Sequence, residues 1–174
     1  GLVVAYLDNQ FYPIALQRLS ESLQKQGYHI LIFTAGNDAE ATQKVIEDLI
    51  DYQVDGIITA SVGMSSDLTQ HCATAGIPIV MFNRGQDGSG HSSITSANIE
   101  GGRKVAEFLV AGGHKRIAHI AGWEGSSTGR DRRRGFTEGL AANGQTPLDI
   151  IDGMFDRAAA AAATRTLMAR SDPP

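Results

Sequence analysis

The sequence holds a single cysteine, Cys72, among its 174 residues. A lone thiol excludes an internal disulfide framework and any multi-cysteine zinc or iron–sulfur site. No apolar run approaches the ~18 residues that a membrane-spanning helix requires. No basic segment followed by an apolar one opens the chain as a secretory leader would. Basic charge is not in excess, with 15 Lys and Arg against 19 Asp and Glu, a net of -4. Nucleic-acid binders usually carry a basic surplus, so this segment alone is not expected to hold DNA or RNA. Phosphate motifs are missing too. A dinucleotide site wants G-x-G-x-x-G after the first strand, and the first strand–helix loop has no glycine. Gly85, Gly88 and Gly90 have the wrong spacing, and no Gly-Lys-Ser/Thr is present.

What is present supports a packed core: 42% hydrophobic and 20% charged residues. The length allows one domain or two small lobes. The chain opens inside a strand-like run, Leu2–Tyr6, and closes at Ser171-Asp172-Pro173-Pro174 directly after a helical stretch. It is therefore expected to be part of a longer protein, cut at both ends, which leaves the compartment open.

Short apolar runs rich in Val and Ile recur at Leu2–Tyr6, His29–Phe33, Gly56–Thr59, Ile79–Phe82, Ser93–Thr95 and Ile117–Ala121. Most lack in/out alternation, as parallel strands buried on both faces do. Helical patterns separate them. Pro13 to Gln26 sets Ala15, Leu19 and Leu23 on one face, and Gly27 stops it. Asn37 or Asp38 caps a helix to Ile50, and Ser65 or Ser66 caps the next. Further helices read as Ile99 to Ala111, Arg130 to Ala142 with a Phe136/Leu140 face, and Ala158 to Met168. The alternation argues an open parallel α/β sheet with right-handed crossovers. Ligands bind such sheets outside the carboxyl ends of the strands. The loops to watch are Leu7 to Tyr12, Thr34-Ala35, Ala60-Ser61, Asn83-Arg84 and Gly122 to Arg132.

Enzyme signatures fail on inspection. Gly125-Ser126-Ser127-Thr128-Gly129 matches the G-x-S-x-G elbow of an α/β-hydrolase, but no histidine follows Ser127. His114 and His119 have no cysteine or carboxylate beside them to make a metal site. Arg130, Arg132, Arg133 and Arg134, with Lys115 and Arg116, form a basic cluster. It reads as a solvated, salt-bridged face, or as a face that aims one arginine of the helix's first turn at a ligand. A guanidinium fork suits vicinal hydroxyls or a carboxylate.

Several segments resemble one family. Asn9-Gln10-Phe11-Tyr12 resembles its Asn-Pro-Phe-Phe turn, and Val54-Asp55-Gly56-Ile57-Ile58 its Val-Asp-Gly-Ile-Ile. Ile77-Pro78-Ile79-Val80 leading to Asn83-Arg84 resembles Ile-Pro-Val-Val leading to Asp-Arg. Gly113-His114-Lys115-Arg116-Ile117-Ala118 resembles Gly-His-Arg-Arg-Ile-Ala, and Arg132 to Gly135-Phe136 resembles Arg-x-x-Gly-Phe. The family is the lactose/galactose-repressor type of bacterial transcriptional regulator, whose effector-sensing core is periplasmic-binding-protein-like.

The resemblance implies two similar Rossmann-like lobes with parallel sheets flanked by helices, around a ligand cleft. Residues 1–96 would be the N-terminal lobe, and 97–174 the first part of a C-terminal lobe left incomplete. It implies ligand contacts at Phe11, Tyr12, Ala60, Ser61, Asn83, Ser126, Thr128 and Arg132. An acidic and an aromatic contact are expected from the missing part. It further implies a sugar-like small-molecule effector, operator DNA bound through a head domain absent from this chain, a homodimer and a cytoplasmic location. No catalytic residue, metal or cofactor is expected. Asn83 in place of the commoner Asp removes a charge, and Gln10 replaces Pro. Phe11 and Tyr12 can also serve as plain packing, and Asn83 as a turn former. The alternative function is a solute-binding protein of a sugar transporter, and a third reading is a flavodoxin-like enzyme domain. The Gly-His-Lys-Arg-Ile segment leans toward the regulator.

Overall fold

Strands and helices alternate along the chain, and every strand pairing is parallel. The computed structural model describes residues 1–7, 10–36, 38–62, 64–86 and 91–174, with only the backbone of Ser66. Asn9 in the first loop, the capping candidate Asn37, the Ser66 side chain, and Gly88 and Gly90 lie outside the described residues. Two compact units are present, residues 1–95 and 96–174.

Unit 1 contains β1 (Leu2–Val4), α1 (Phe11–Gln24), β2 (Ile32–Thr34), α2 (Ala39–Asp51), β3 (Ile57–Ala60), α3 (Ser66–Thr74), β4 (Ile79–Phe82) and β5 (Ser92–Ile94). The sheet order is β2-β1-β3-β4-β5. β1 pairs with β2 on one side (Val3 opposite Phe33) and β3 on the other (Val3 opposite Thr59). It is buried on both faces, as its unbroken Leu-Val-Val requires. Val3 and Ala5 pack with Ile46 and Leu49 of α2 and Leu68 and Cys72 of α3. Leu2 and Val4 pack with Tyr12 and Leu16 of α1. Helices thus cover both faces of the sheet.

Several boundaries differ from the sequence expectation. α1 starts at Phe11 and takes Pro13 into its first turn, where a missing N–H costs nothing. Its buried face centres on Tyr12 and Leu16, with Ala15, Leu19 and Leu23 half-buried beside it. β2 begins at Ile32 because it is an edge strand, and Ile32 stays exposed there. Asp38 caps α2 by accepting from Glu40 N at 2.9 Å, and Ser65 caps α3 by accepting from Leu68 N at 3.1 Å.

Unit 2 contains α4 (Asn98–Ala111), β6 (His119–Ala121), α5 (Ser127–Ala142), β7 (Ile150–Asp152) and α6 (Arg157–Met168). β6 and β7 form a two-stranded sheet. β7 escaped the sequence reading, because it offers only two apolar residues beside Asp149 and Asp152. α5 begins three residues before the expected Arg130, capped by Ser126. α4 and α5 pack in intimate contact through glycine. A Cβ on Gly102 would overlap the backbone at Arg132, and one on Gly135 the backbone of Ile99. Ala106, Ile117, Phe136 and Leu140 form the core under this crossing.

Candidate functional site

In unit 1 the parallel register brings the carboxyl ends of β1, β3 and β4 level: Val4 lies opposite Ala60, and Ala60 opposite Phe82. The next residues are Ser61 and Asn83. Both have left-handed backbones, with φ of 63° and 69°. Asparagine tolerates this region, whereas serine is held there at a cost of order 1–3 kcal/mol, a kind of strain that concentrates at functional sites. The left-handed turns point the two side chains at Tyr12 in the first turn of α1. The Tyr12 hydroxyl and Ser61 Oγ share a buried hydrogen bond. Asn83 Nδ2 donates to Tyr12 Oη at 2.7 Å and to Ser61 Oγ at 3.0 Å. The amide is thereby fixed through its nitrogen.

Phe11 stands at the rim of this set, 48% exposed. Its ring stacks on Phe82 with centroids 5.9 Å apart and planes 7° from parallel. It also meets Tyr12 edge-on at 5.2 Å. The structure therefore brings Phe11, Tyr12, Ser61 and Asn83 together. Ala60 belongs to the buried cluster that holds Tyr12 and Leu16, so its methyl supports the set from beneath. The arrangement offers an apolar ring plate beside oriented amide and hydroxyl groups, which suits a small polar ligand with a hydrocarbon face.

In unit 2 the expected residues divide. Ser126 is buried and its hydroxyl is occupied. It accepts from Gly129 N at 3.0 Å, donates to Trp123 O at 2.9 Å, and lies 3.2 Å from Thr128 Oγ1. Ser126 and the buried Thr128 thus fix the start of α5. Arg132 is exposed and falls in the second turn, because the helix starts early. Its Nε donates to Asn98 Oδ1 at 2.9 Å. Arg133 and Arg134 follow the salt-bridged reading. Arg133 pairs with Glu124, and Arg134 with Glu138 at 2.7 Å. Arg103 reaches the same Glu138 at 3.1 Å.

A cavity of about 480 Å³ opens at the carboxyl ends of β6 and β7, lined by His119, Gly122, Arg132, Phe155 and Arg157 among others. Phe155 was missed in the sequence. It follows β7, is 41% exposed, and adopts a left-handed φ of 55°. An aromatic at a strand end of unit 2 is thus already present in this chain, where the sequence comparison expected one only beyond it. His119 lines the same cavity with its ring stacked on Phe136, centroids 4.7 Å apart. Burial, then the charge of Arg133, push its pKa below the ordinary histidine value, against a smaller opposing pull from Glu124. No helix is long and apolar enough to cross a membrane, among the described residues.

Two α/β units, each built on a parallel sheet, define the class of protein. Residues 1–174 match the family of periplasmic binding proteins and the sugar binding domain of the LacI family, and the chain belongs to that family. Among curated relatives it is 28% identical over 137 residues to the maltose regulon regulatory protein MalI of Escherichia coli, covering 78% of this chain and 40% of MalI. It is 28% identical over 141 residues to the ribose import binding protein RbsB of Bacillus subtilis, covering 78% of this chain and 46% of RbsB. A solved structure of the transcriptional regulator CelR in complex with cellobiose superposes with a TM-score of 0.80 at 28% identity, covering 94% of this chain and 53% of that one. The chain spans about half or less of the length of each of these proteins.

Proposed function

We propose that this chain is the ligand-sensing core of a bacterial DNA-binding transcriptional regulator, and that it binds a small polar effector such as a sugar. Phe11, Tyr12, Ser61 and Asn83 of unit 1 contribute to binding, and so do Arg132 and Phe155 of unit 2. Residues 1–96 act as one lobe, and residues 97–174 as the first part of a second. The observation that carries this reading is the Tyr12–Ser61–Asn83 network, in which Tyr12 and Ser61 hold the Asn83 amide at the strand ends. A hydrogen-bonded set with a strained serine is preorganised, and a glycine at that turn would avoid the strain. The regulator reading draws on the match to MalI and CelR. It implies a homodimer, a cytoplasmic location, and operator DNA contacted through a head domain outside this chain. The protein works by binding rather than by catalysis. The effector acts by its differential affinity for two states of the regulator.

The match to RbsB favours a second reading, a solute-binding protein that feeds a sugar transporter. The two diverge in the residues ahead of Gly1: a helix-turn-helix supports the regulator, a secretory leader the transporter component.

The test is a thermal-shift screen of the full-length protein with sugars, sugar acids, polyols and nucleosides. A bound effector adds about 2.7 kcal/mol at a hundred times its Kd. The expected result is a clear rise in Tm with one chemical class, lost in Arg132→Ala. No shift with any class would overturn the proposal.

A further inference from the structure

We propose that the effector carries an oxyanion, a carboxylate or a phosphate monoester, held by Arg132 and Arg157 at the carboxyl ends of β6 and β7. The inference rests on the reading of the chain as an effector-sensing core and names the chemistry of that effector. The cavity there is lined by two guanidiniums, Arg132 and Arg157, and one carboxylate, Asp156. Asp156 is committed to capping α6, its Oδ1 accepting from Ala159 N at 2.7 Å. Several other carboxylates of unit 2 are paired elsewhere. Glu124 takes Arg133, Glu138 takes Arg134 and Arg103, and Asp149 takes Arg170. Asp152, at the end of β7, accepts from Met154 N at 2.7 Å. Neither Arg132 nor Arg157 has a carboxylate partner among the described residues.

The partner that Arg132 does have is informative. Asn98 is neutral and only 6% exposed, and its Oδ1 receives Nε. This fixes the plane of the guanidinium and leaves the two terminal nitrogens for something else. Asn98 Nδ2 is itself buried with no partner, as is His119 Nε2. Asn98, His119 and Arg132 line a second cavity, about 410 Å³, which shares His119 and Arg132 with the first. Buried polar atoms without partners mark where a ligand or water completes the set. With His119 kept neutral at pH 7 by burial, the residues this chain gives to the first cavity carry a net positive charge. The hydroxyls of a neutral sugar would accept from the two guanidiniums without balancing their charge. A carboxylate or phosphate matches the guanidinium fork and supplies the missing charge.

The test uses matched pairs on the full-length protein: ribose, glucose and fructose beside ribonate, gluconate, ribose 5-phosphate, glucose 6-phosphate and fructose 1-phosphate. Thermal shift identifies binders, and titration calorimetry at low and high NaCl gives Kd. The proposal expects a charged member to bind where its neutral parent does not, with affinity weakening as salt rises. Sugar acids against phosphate esters decide which oxyanion it is. Arg157→Gln, at an exposed first residue of α6, should raise Kd about tenfold without unfolding the protein. A neutral sugar that binds as well as its acid and its phosphate overturns this inference and leaves the proposed function standing, as does an unchanged Kd in Arg157→Gln. Failure of every compound overturns both.

Discussion

Ser61 is the residue where fold and function pull apart most visibly. Its hydroxyl joins Tyr12 and Asn83, yet its backbone occupies a region that suits glycine. Ser61→Gly relieves roughly 1–2 kcal/mol of strain and forfeits a hydrogen bond worth about 1 kcal/mol. Chemical denaturation should therefore show stability within about 1 kcal/mol of the parent, while calorimetry shows weaker effector binding because Asn83 loses one of its two anchors. His119 makes a separate prediction. Its folded pKa lies below the unfolded one, so the unfolded chain takes up the proton first as pH falls. The stability it contributes is complete above the ordinary value of about 6.5 and declines below it. Tm measured from pH 7.5 to 5.5 should fall more steeply in the parent than in His119→Phe. Equal slopes would show that the imidazole does not titrate as its burial requires. At this scale the sequence was a partial guide. Asn83 and Arg132 follow from strand-end topology and family likeness, whereas the strain at Ser61 depends on a backbone angle that no residue type announces.

Among the elements, α5 carries the most weight in unit 2, since its cap, its glycines and Arg132 all act together. Ser126 accepts from Gly129 N, and Ser126→Ala should cost about 1 kcal/mol in denaturant titration. Gly135→Ala should cost more, about 1–3 kcal/mol, because its Cβ overlaps the backbone of Ile99 and forces α4 away. It should also weaken effector binding, since α4 brings Asn98 to Arg132. Most helices and strands were legible because their apolar spacing is strong and their stops are Gly or Pro. β7 was not, and its loss had a consequence. The rule that sends attention to residues after each strand could not reach Phe155, because the strand before it went unseen. The start of α5 was obscured in another way. Gly125 to Gly129 has the composition of a loop, yet α5 starts at Ser127, and its Gly129 is a packing requirement, since a side chain there would strike the carbonyl of Trp123.

For the whole molecule, the parallel pairing of the sheets and, β7 apart, the order of elements followed from alternation, and the family match over residues 1–174 agrees with it. The composition of the candidate site was less legible. Of eight residues expected at it, Phe11, Tyr12, Ser61 and Asn83 gather in unit 1, and Arg132 faces a cavity in unit 2. Ala60, Ser126 and Thr128 are buried, as Tyr12 and Ser61 are, and the two hydroxyls of Ser126 and Thr128 lie together at the start of α5. The central claim is that this chain binds a small polar effector through the residues proposed above. Titration calorimetry of the effector found by screening, on the full-length protein and on Asn83→Ala and Arg132→Ala, tests it directly. Each substitution should raise Kd about tenfold or more, as expected when a polar partner of a bound ligand is removed. An unchanged Kd in either variant, with the fold intact by circular dichroism, would contradict the account.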